Sequence, residues 1–177
     1  MFIEDIPVWV KKLRKAPLLA KGEGSSVAID QAGLERLIDH RPPFLLLDGI
    51  DQVDLDNVSI RGHREIKTGD PVFAGHFPGN PVYPGVLQIE MMGQLGLCLA
   101  SLYGFKTINP AEVSHSVNVR ASRVHQSVFY AGVFPGDALT IYAALIEHDE
   151  LAATAAAQIY KGNDLCSVSI MEVCFVD

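Results

Sequence analysis

The sequence predicts an α+β domain in which a curved antiparallel β-sheet wraps around a long central helix. Three observations carry that expectation. The stretch Gly75-His76-Phe77-Pro78-Gly79-Asn80-Pro81-Val82-Tyr83-Pro84-Gly85 holds three prolines and three glycines. Proline lacks a donor and glycine is costly to order, so regular structure is ruled out there. Next, Val86, Ile89, Gly93, Leu97 and Ala100 recur at helical spacing, and Leu87, Met91, Met92, Leu95 and Leu99 widen the apolar surface most of the way round. A helix apolar on nearly every side belongs in a core. Finally, almost everything beyond Pro110 reads as strand, and a lone buried helix needs a sheet to enclose it.

In chain order, residues 1–28 read as an N-terminal extension and residues 29–177 as one domain. Val8 to Lys15 forms a short basic amphipathic helix before Pro17. Two readings stand for it: a flap packing Trp9 on the domain, or a segment that docks on a membrane surface or a partner. Lys21-Gly22-Glu23-Gly24-Ser25-Ser26 is linker-like. Asp30 suits the N-cap of a helix carrying Leu34, Leu37 and Ile38, ending before Pro42-Pro43. Phe44 to Leu55 reads as a strand into a turn at residues 54–57, with a return strand from Val58 to Ile66. After the long helix, which stops near Tyr103-Gly104, strands are expected over 113–124, 127–133, 139–146, 151–160 and 165–175. Phe134-Pro135-Gly136-Asp137 is a break. Ala152 to Ala157 has helical propensity, but its place between short turns favours strand.

Composition narrows the function. The chain has 177 residues, 49% hydrophobic and 20% charged, as a globular domain with a sizeable core does. A net charge of -7 argues against nucleic-acid binding, which relies on clustered Lys and Arg. Cys98, Cys166 and Cys174 have no CxxC spacing, which suits a reduced cytoplasmic setting. No transmembrane segment is expected, because glycines interrupt the central helix and core burial explains it better. The N-terminus lacks the apolar core and cleavage site of a secretory signal.

His76 in the stiff loop and Glu90 in the helix are the candidate catalytic pair. A neutral histidine accepts a proton. A carboxyl among Ile89, Met91 and Met92, if buried, favours its protonated, donating form. Base and acid in one apolar cavity is what elimination of water requires. Spacing leaves the distance between them open. The backbone N–H groups of Gly85 and Val86 lie unpaired at the positive end of the helix and suit a carbonyl oxygen that gains charge. Each residue also has a plain reading: His76 as a hydrogen-bonded loop residue, Glu90 as a first-turn glutamate facing water, Gly85 as a turn glycine. His40, His63, His115, His125 and His148 show no ligand spacing, so no metal is expected. Cys98 sits at a core position, which favours packing over nucleophilic work. No GxSxG, P-loop or dinucleotide fingerprint is present.

The run from His76 to Leu87, continuing to Glu90 and Gln94, resembles the active-site segment of the 3-hydroxyacyl-[acyl-carrier-protein] dehydratases. His40-Arg41-Pro42-Pro43-Phe44-Leu45-Leu46-Leu47-Asp48 is similar to that family's other signature, and Pro135-Gly136-Asp137 to a turn between its later strands. The resemblance spans about residues 29–177. It implies a hot-dog fold, paired as a homodimer with two sites at the interface and often assembled into a hexamer, a trimer of dimers. It implies His76 as base and Glu90 as acid, from different subunits, with Gly85 supplying the polarising amide. Val86, Phe77, Tyr83 and Gln94 are the further substrate-binding residues it implies. The implied product is a trans-2-enoyl thioester, made without metal or dissociable cofactor on the phosphopantetheine of an acyl carrier protein. Glutamate rather than aspartate at 90 favours dehydration without isomerisation.

Three departures point to a specialised paralogue. Phe129-Tyr130-Ala131-Gly132-Val133 replaces a stretch that usually carries a basic pair, so Arg120, Arg123 or the basic N-terminal segment must supply any charge for the carrier. Tyr83 stands where methionine is usual, at a position implied to line the acyl tunnel. The extension before residue 29 is unusual. Two rivals remain: an acyl thioesterase on the same fold, which generally lacks the His-Phe-Pro loop, and a non-catalytic acyl-carrier-binding subunit of a heteromer, which has no need of an intact His76 and Glu90.

Overall fold

The computed structural model describes residues 6–20 and 22–176; Lys21 of the linker-like stretch and residues 1–5 of the extension lie outside them. Seven antiparallel strands form a single sheet in the order β1-β2-β3-β5-β6-β7-β4. They are β1 (Ser25–Ile29), β2 (Gly49–Asp54), β3 (Ser59–Glu65), β4 (Val119–Phe129), β5 (Ala138–His148), β6 (Ala152–Lys161) and β7 (Asp164–Phe175). Helix α3, Gly85–Gly104, lies against the inner face, with Met91, Met92, Leu95, Cys98, Leu99 and Leu102 fully buried. By length and composition α3 is apolar enough to cross a membrane, yet more than half of it is buried within the protein. This is the hot-dog arrangement, and the expected α+β class holds.

Helix α2, Gln31–Leu37, begins as the sequence predicts: the Asp30 carboxylate accepts from the Gly33 N–H at 3.0 Å. The alanine-rich run 152–157 is strand, because each of its neighbours pairs it in register (Ala155 faces Leu145 on β5 and Met171 on β7). Tertiary pairing overrides helical propensity here.

Four expectations are corrected. The linker-like Ser25 and Ser26 belong to β1 and pair with Val53 and Gln52, so the expected boundary between 28 and 29 falls inside a strand. Gly24 makes this entry feasible: at φ +67° a Cβ there would lie 2.6 Å from the Val53 carbonyl oxygen. Phe44 to Asp48 is not strand. Leu45, Leu46 and Leu47 are buried, but the Leu46 N–H bonds a side chain on α3 instead of a ladder partner. β4 starts only at Val119 and runs unbroken through the gap expected near 125–126. Residues 130–133 leave the ladder, where Tyr130 and Ala131 N–H both reach the Cys166 carbonyl and the Val133 carbonyl takes the Tyr83 N–H.

The N-terminal segment is docked. Helix α1, Ile6–Leu13, covers part of the outer face of the sheet, where Leu13 packs with Ala156, Val168 and Ile170, and Trp9 joins them. Gln158, fully buried on β6, donates to the carbonyls of Leu13 and Ala16 and accepts from the Leu18 N–H at 2.8 Å. The packing of Trp9 on the domain expected of a flap is present.

Candidate active site

The loop ahead of α3 is closed on itself. A 3-10 turn, Pro71–Ala74, is capped by Asp70, and the His76 N–H continues it to the Val72 carbonyl at 3.0 Å. The Val82 N–H returns to the His76 carbonyl at 3.0 Å. His76 Nδ1 lies 2.8 Å from the Val82 carbonyl oxygen. A carbonyl only accepts, so Nδ1 carries a proton, and in the neutral ring Nε2 is the nitrogen with the lone pair. The imidazole also stacks on Phe77, ring centroids 4.1 Å apart. Three hydrogen bonds thus hold the residue, and the one from Nδ1 together with the stacking contact orients the ring with Nε2 unpaired among the described residues.

Glu90 sits one and a half turns into α3. Its Oε1 is 3.2 Å from His40 Nε2 and accepts from Gln94 Nε2 at 2.9 Å. Oε2 makes no hydrogen bond among the described residues. The expectation that Glu90 is buried is not met in the single chain, where its side chain keeps 35% of its exposure. Gln94, 1% exposed, is a scaffold: Oε1 accepts from the Leu46 N–H at 2.8 Å, and Nε2 donates to the Phe44 carbonyl at 2.8 Å as well as to Glu90. Its three hydrogen bonds tie Glu90 to the Phe44–Leu46 backbone, and Gln94 itself also lines the cavity that runs along α3. Gln94→Leu leaves the Leu46 N–H and Phe44 carbonyl unpaired. It is expected to cost about 2 kcal/mol in urea unfolding, with a fall in kcat larger than any change in KM.

His40 was grouped with the scattered histidines because it has no metal-ligand spacing. The structure makes it the neighbour of Glu90, stacked on Phe44 with its Nδ1 buried and unpaired. The available signal was its place at the head of the second signature, not its spacing to other ligands. Among the described residues, no three His, Cys, Asp or Glu side chains cluster to hold a metal.

At the start of α3, Gly85 and Val86 present backbone N–H groups with no partner among the described residues, since the first helical bonds run from Leu87 and Gln88 to the Pro84 carbonyl. The Val86 side chain is 71% exposed. Glycine at 85 lets the Phe129 ring at the end of β4 close in: a Cβ would lie 2.8 Å from it and push the ring aside.

A cavity of about 300 Å³ runs along α3 from Glu90 to Ala100, against Val119, Ala121 and Val124 of β4 and Ala153 and Ala155 of β6. Gly93, Gly96 and Ala100 line this space, and at Gly96 a Cβ would already touch Ala155 of β6 at 3.5 Å. A Cβ on Gly93 would meet nothing nearer than Met171 Sδ at 3.9 Å. The cavity walls are mostly apolar, with the Glu90–His40 pair, Gln94, Arg123 and Glu172 as the polar members, which suits a linear alkyl chain with a polar head. His76 and Phe77 do not line it. Within one chain, Glu90 and His40 line this cavity and His76 lies outside its lining.

Tyr83 does not line this cavity either. It is 2% exposed, edge-on to Phe73 at 6.2 Å, with its hydroxyl unpaired. Burial pushes its phenol up to about 12, against an opposing pull from Arg64, with Asp70 adding to the rise. The folded-state value lies above the ordinary value near 10. This group's contribution is therefore intact below pH ~10 and is lost as pH rises from about 10 through 12. Tyr83→Phe is expected to melt no lower than wild type at pH 8 and to show a shallower alkaline fall in Tm. Cys98 is buried and its thiol is pushed well up by desolvation, which agrees with inert packing.

A family profile described as a FabA-like domain matches residues 38–168. The chain is 35% identical over 151 residues to the 3-hydroxyacyl-[acyl-carrier-protein] dehydratase FabZ of Sulfurimonas denitrificans, covering 84% of this chain and 98% of that one. It is 40% identical over 124 residues to the FabZ of Acidiphilium cryptum, covering 70% of each. Among solved structures, the dehydratase heterocomplex ApeI:P from Xenorhabdus doucetiae superposes with a TM-score of 0.65 at 19% identity, covering 81% of this chain and 91% of that one, a likeness of fold. With the match running from the His40 signature through the His76 loop and α3 into β7, the chain belongs to the FabA-like family of 3-hydroxyacyl-[acyl-carrier-protein] dehydratases.

Proposed function

We propose that this enzyme removes water from a 3-hydroxyacyl thioester carried on an acyl carrier protein and releases the trans-2-enoyl thioester, in fatty-acid or related lipid synthesis. The observation that carries the assignment of the base is the His76 tautomer, with Nδ1–H given to Val82 and Nε2 free. His76 Nε2 takes the C2 proton. The Gly85 N–H stabilises the charge that grows on the thioester carbonyl oxygen. The C3–O bond breaks as Glu90 Oε2–H protonates the departing hydroxyl, so water leaves and the C2–C3 double bond forms. The enzyme returns to its starting state when the proton on His76 passes to Glu90 through water. No metal or dissociable cofactor enters these steps, since the phosphopantetheine belongs to the substrate. The alkyl chain occupies the cavity along α3.

Two features support a homodimer with shared sites, and a trimer of dimers is the larger assembly in keeping with it. β4 is an eleven-residue edge strand paired on one side only, with most of its residues exposed. Such an edge is a template for a second strand, and a two-fold axis there continues the sheet into the partner. The Glu90 cavity lies directly behind β4, and His76 of the same chain does not line it. The same reading places the enzyme in the cytoplasm with its carrier.

The test is turnover of 3-hydroxyacyl carrier substrates of several chain lengths, following enoyl product and free thiol together. Enoyl formation without thiol release is expected. Thiol release without enoyl would make the protein a thioesterase, and no turnover with carrier binding would make it a non-catalytic subunit.

A further inference from the structure

We infer that the docked N-terminal segment is the landing surface for an acidic carrier protein, and that it supplies the positive charge missing from the end of β4. This rests on the dehydratase reading above and names the surface its partner uses. Lys11, Lys12, Arg14 and Lys15 put four of the chain's fourteen basic residues into five positions, on a protein of net charge -7. All four are exposed, and none faces a carboxylate among the described residues. Lys161, the nearby cation on β6, contrasts with them, since it is held 3.2 Å from Asp137.

Their position is fixed by packing. Leu13, between them, is 1% exposed against the outer face of the sheet, and Gln158 holds the backbone on either side of Arg14 and Lys15. The Arg14 guanidinium lies 5.0 Å from the centre of the Tyr130 ring. Tyr130 follows Phe129, whose ring closes on Gly85, where the polarising amide sits. The cations are thus tied to the end of the sheet where the thioester must enter. Arg120 is nine residues back along β4, roughly 30 Å at the rise of a strand, and is bonded to Asn118 and its own neighbour. Arg123 faces the cavity. Of the three candidate sources of charge, the N-terminal segment is the one beside the entrance. A membrane is the less suitable partner, because the apolar side of α1 is spent on the sheet and is not free to insert.

The test uses Lys11→Glu/Lys15→Glu, which spares the aromatic stacking of Lys12 on Trp9 and of Arg14 on Tyr130. Two substrates are compared: a 3-hydroxyacyl bacterial acyl carrier protein and the same acyl group on pantetheine. The variant is expected to lose roughly tenfold in kcat/KM on the carrier substrate at low salt, mostly through KM, with the pantetheine thioester turned over as by wild type. Raising salt should lower wild-type carrier turnover and leave the variant's nearly unchanged. Equal carrier kinetics in variant and wild type would overturn the inference and leave the dehydratase reading standing. Binding of the acyl carrier, followed by calorimetry, separates the reverse case: lysine-dependent binding without turnover of either substrate sinks the dehydratase reading and keeps the docking surface. Lysine-dependent sedimentation with phosphatidylglycerol vesicles, alongside unaltered carrier kinetics, would replace the carrier by a membrane.

Discussion

His76→Ala is expected to lower kcat on a 3-hydroxyacyl carrier substrate by roughly a thousandfold, within the range a positioned base contributes, with Tm almost unchanged. The asymmetry follows from where the ring sits. It is half-buried in a surface loop, and its protein contacts are one hydrogen bond to Val82 and the stack on Phe77. Losing that bond costs on the order of 1 kcal/mol, whereas losing Nε2 removes the acceptor for the C2 proton. A variant that unfolds by circular dichroism at the wild-type temperature, yet retains more than a tenth of the activity, would remove His76 from the base role.

Mixing two inactive variants is expected to restore activity. If each site takes His76 from one subunit and Glu90 from the other, a heterodimer of His76→Ala and Glu90→Ala chains has one site with both losses and one with neither. Random pairing of equal amounts makes about half of the dimers mixed, each with one of two sites intact, so about a quarter of wild-type turnover returns. Co-refolding the variants and assaying against each alone measures it. Activity no higher than the singles would place both residues of a site in one chain. The geometry motivates the prediction: Glu90 lies in a cavity behind an unpaired edge strand, and His76 does not line that cavity.

Most of the fold was legible because its signals are local. Asp30 caps α2 with its own side chain, and α3 carries an apolar surface that only a core accommodates. The later strands are separated by turn residues that leave little choice. The misreadings arose where a distant group decided the outcome. Ser25 and Ser26 look like linker until β2 offers them ladder partners. Leu45 to Leu47 look like strand until the Gln94 side chain claims the Leu46 N–H. The site divides the same way. His76, Gly85 and Glu90 stood out as residue types in a motif, whereas the pairing of His40 with Glu90 spans fifty residues and has no periodic signature.

The sequence by itself determined the class of fold and singled out His76, Glu90 and Gly85 as the candidates for base, acid and amide, because a proline-glycine loop, an apolar helix and the residues at their junction are properties of short segments. Only the tertiary structure decided that Gln94 ties Glu90 to the Phe44–Leu46 backbone, that Tyr83 belongs to the core, and that Arg14 of the basic N-terminal segment lies against Tyr130. Each of those depends on contacts across the chain, and such contacts are set when the helix and the sheet bury their apolar faces together.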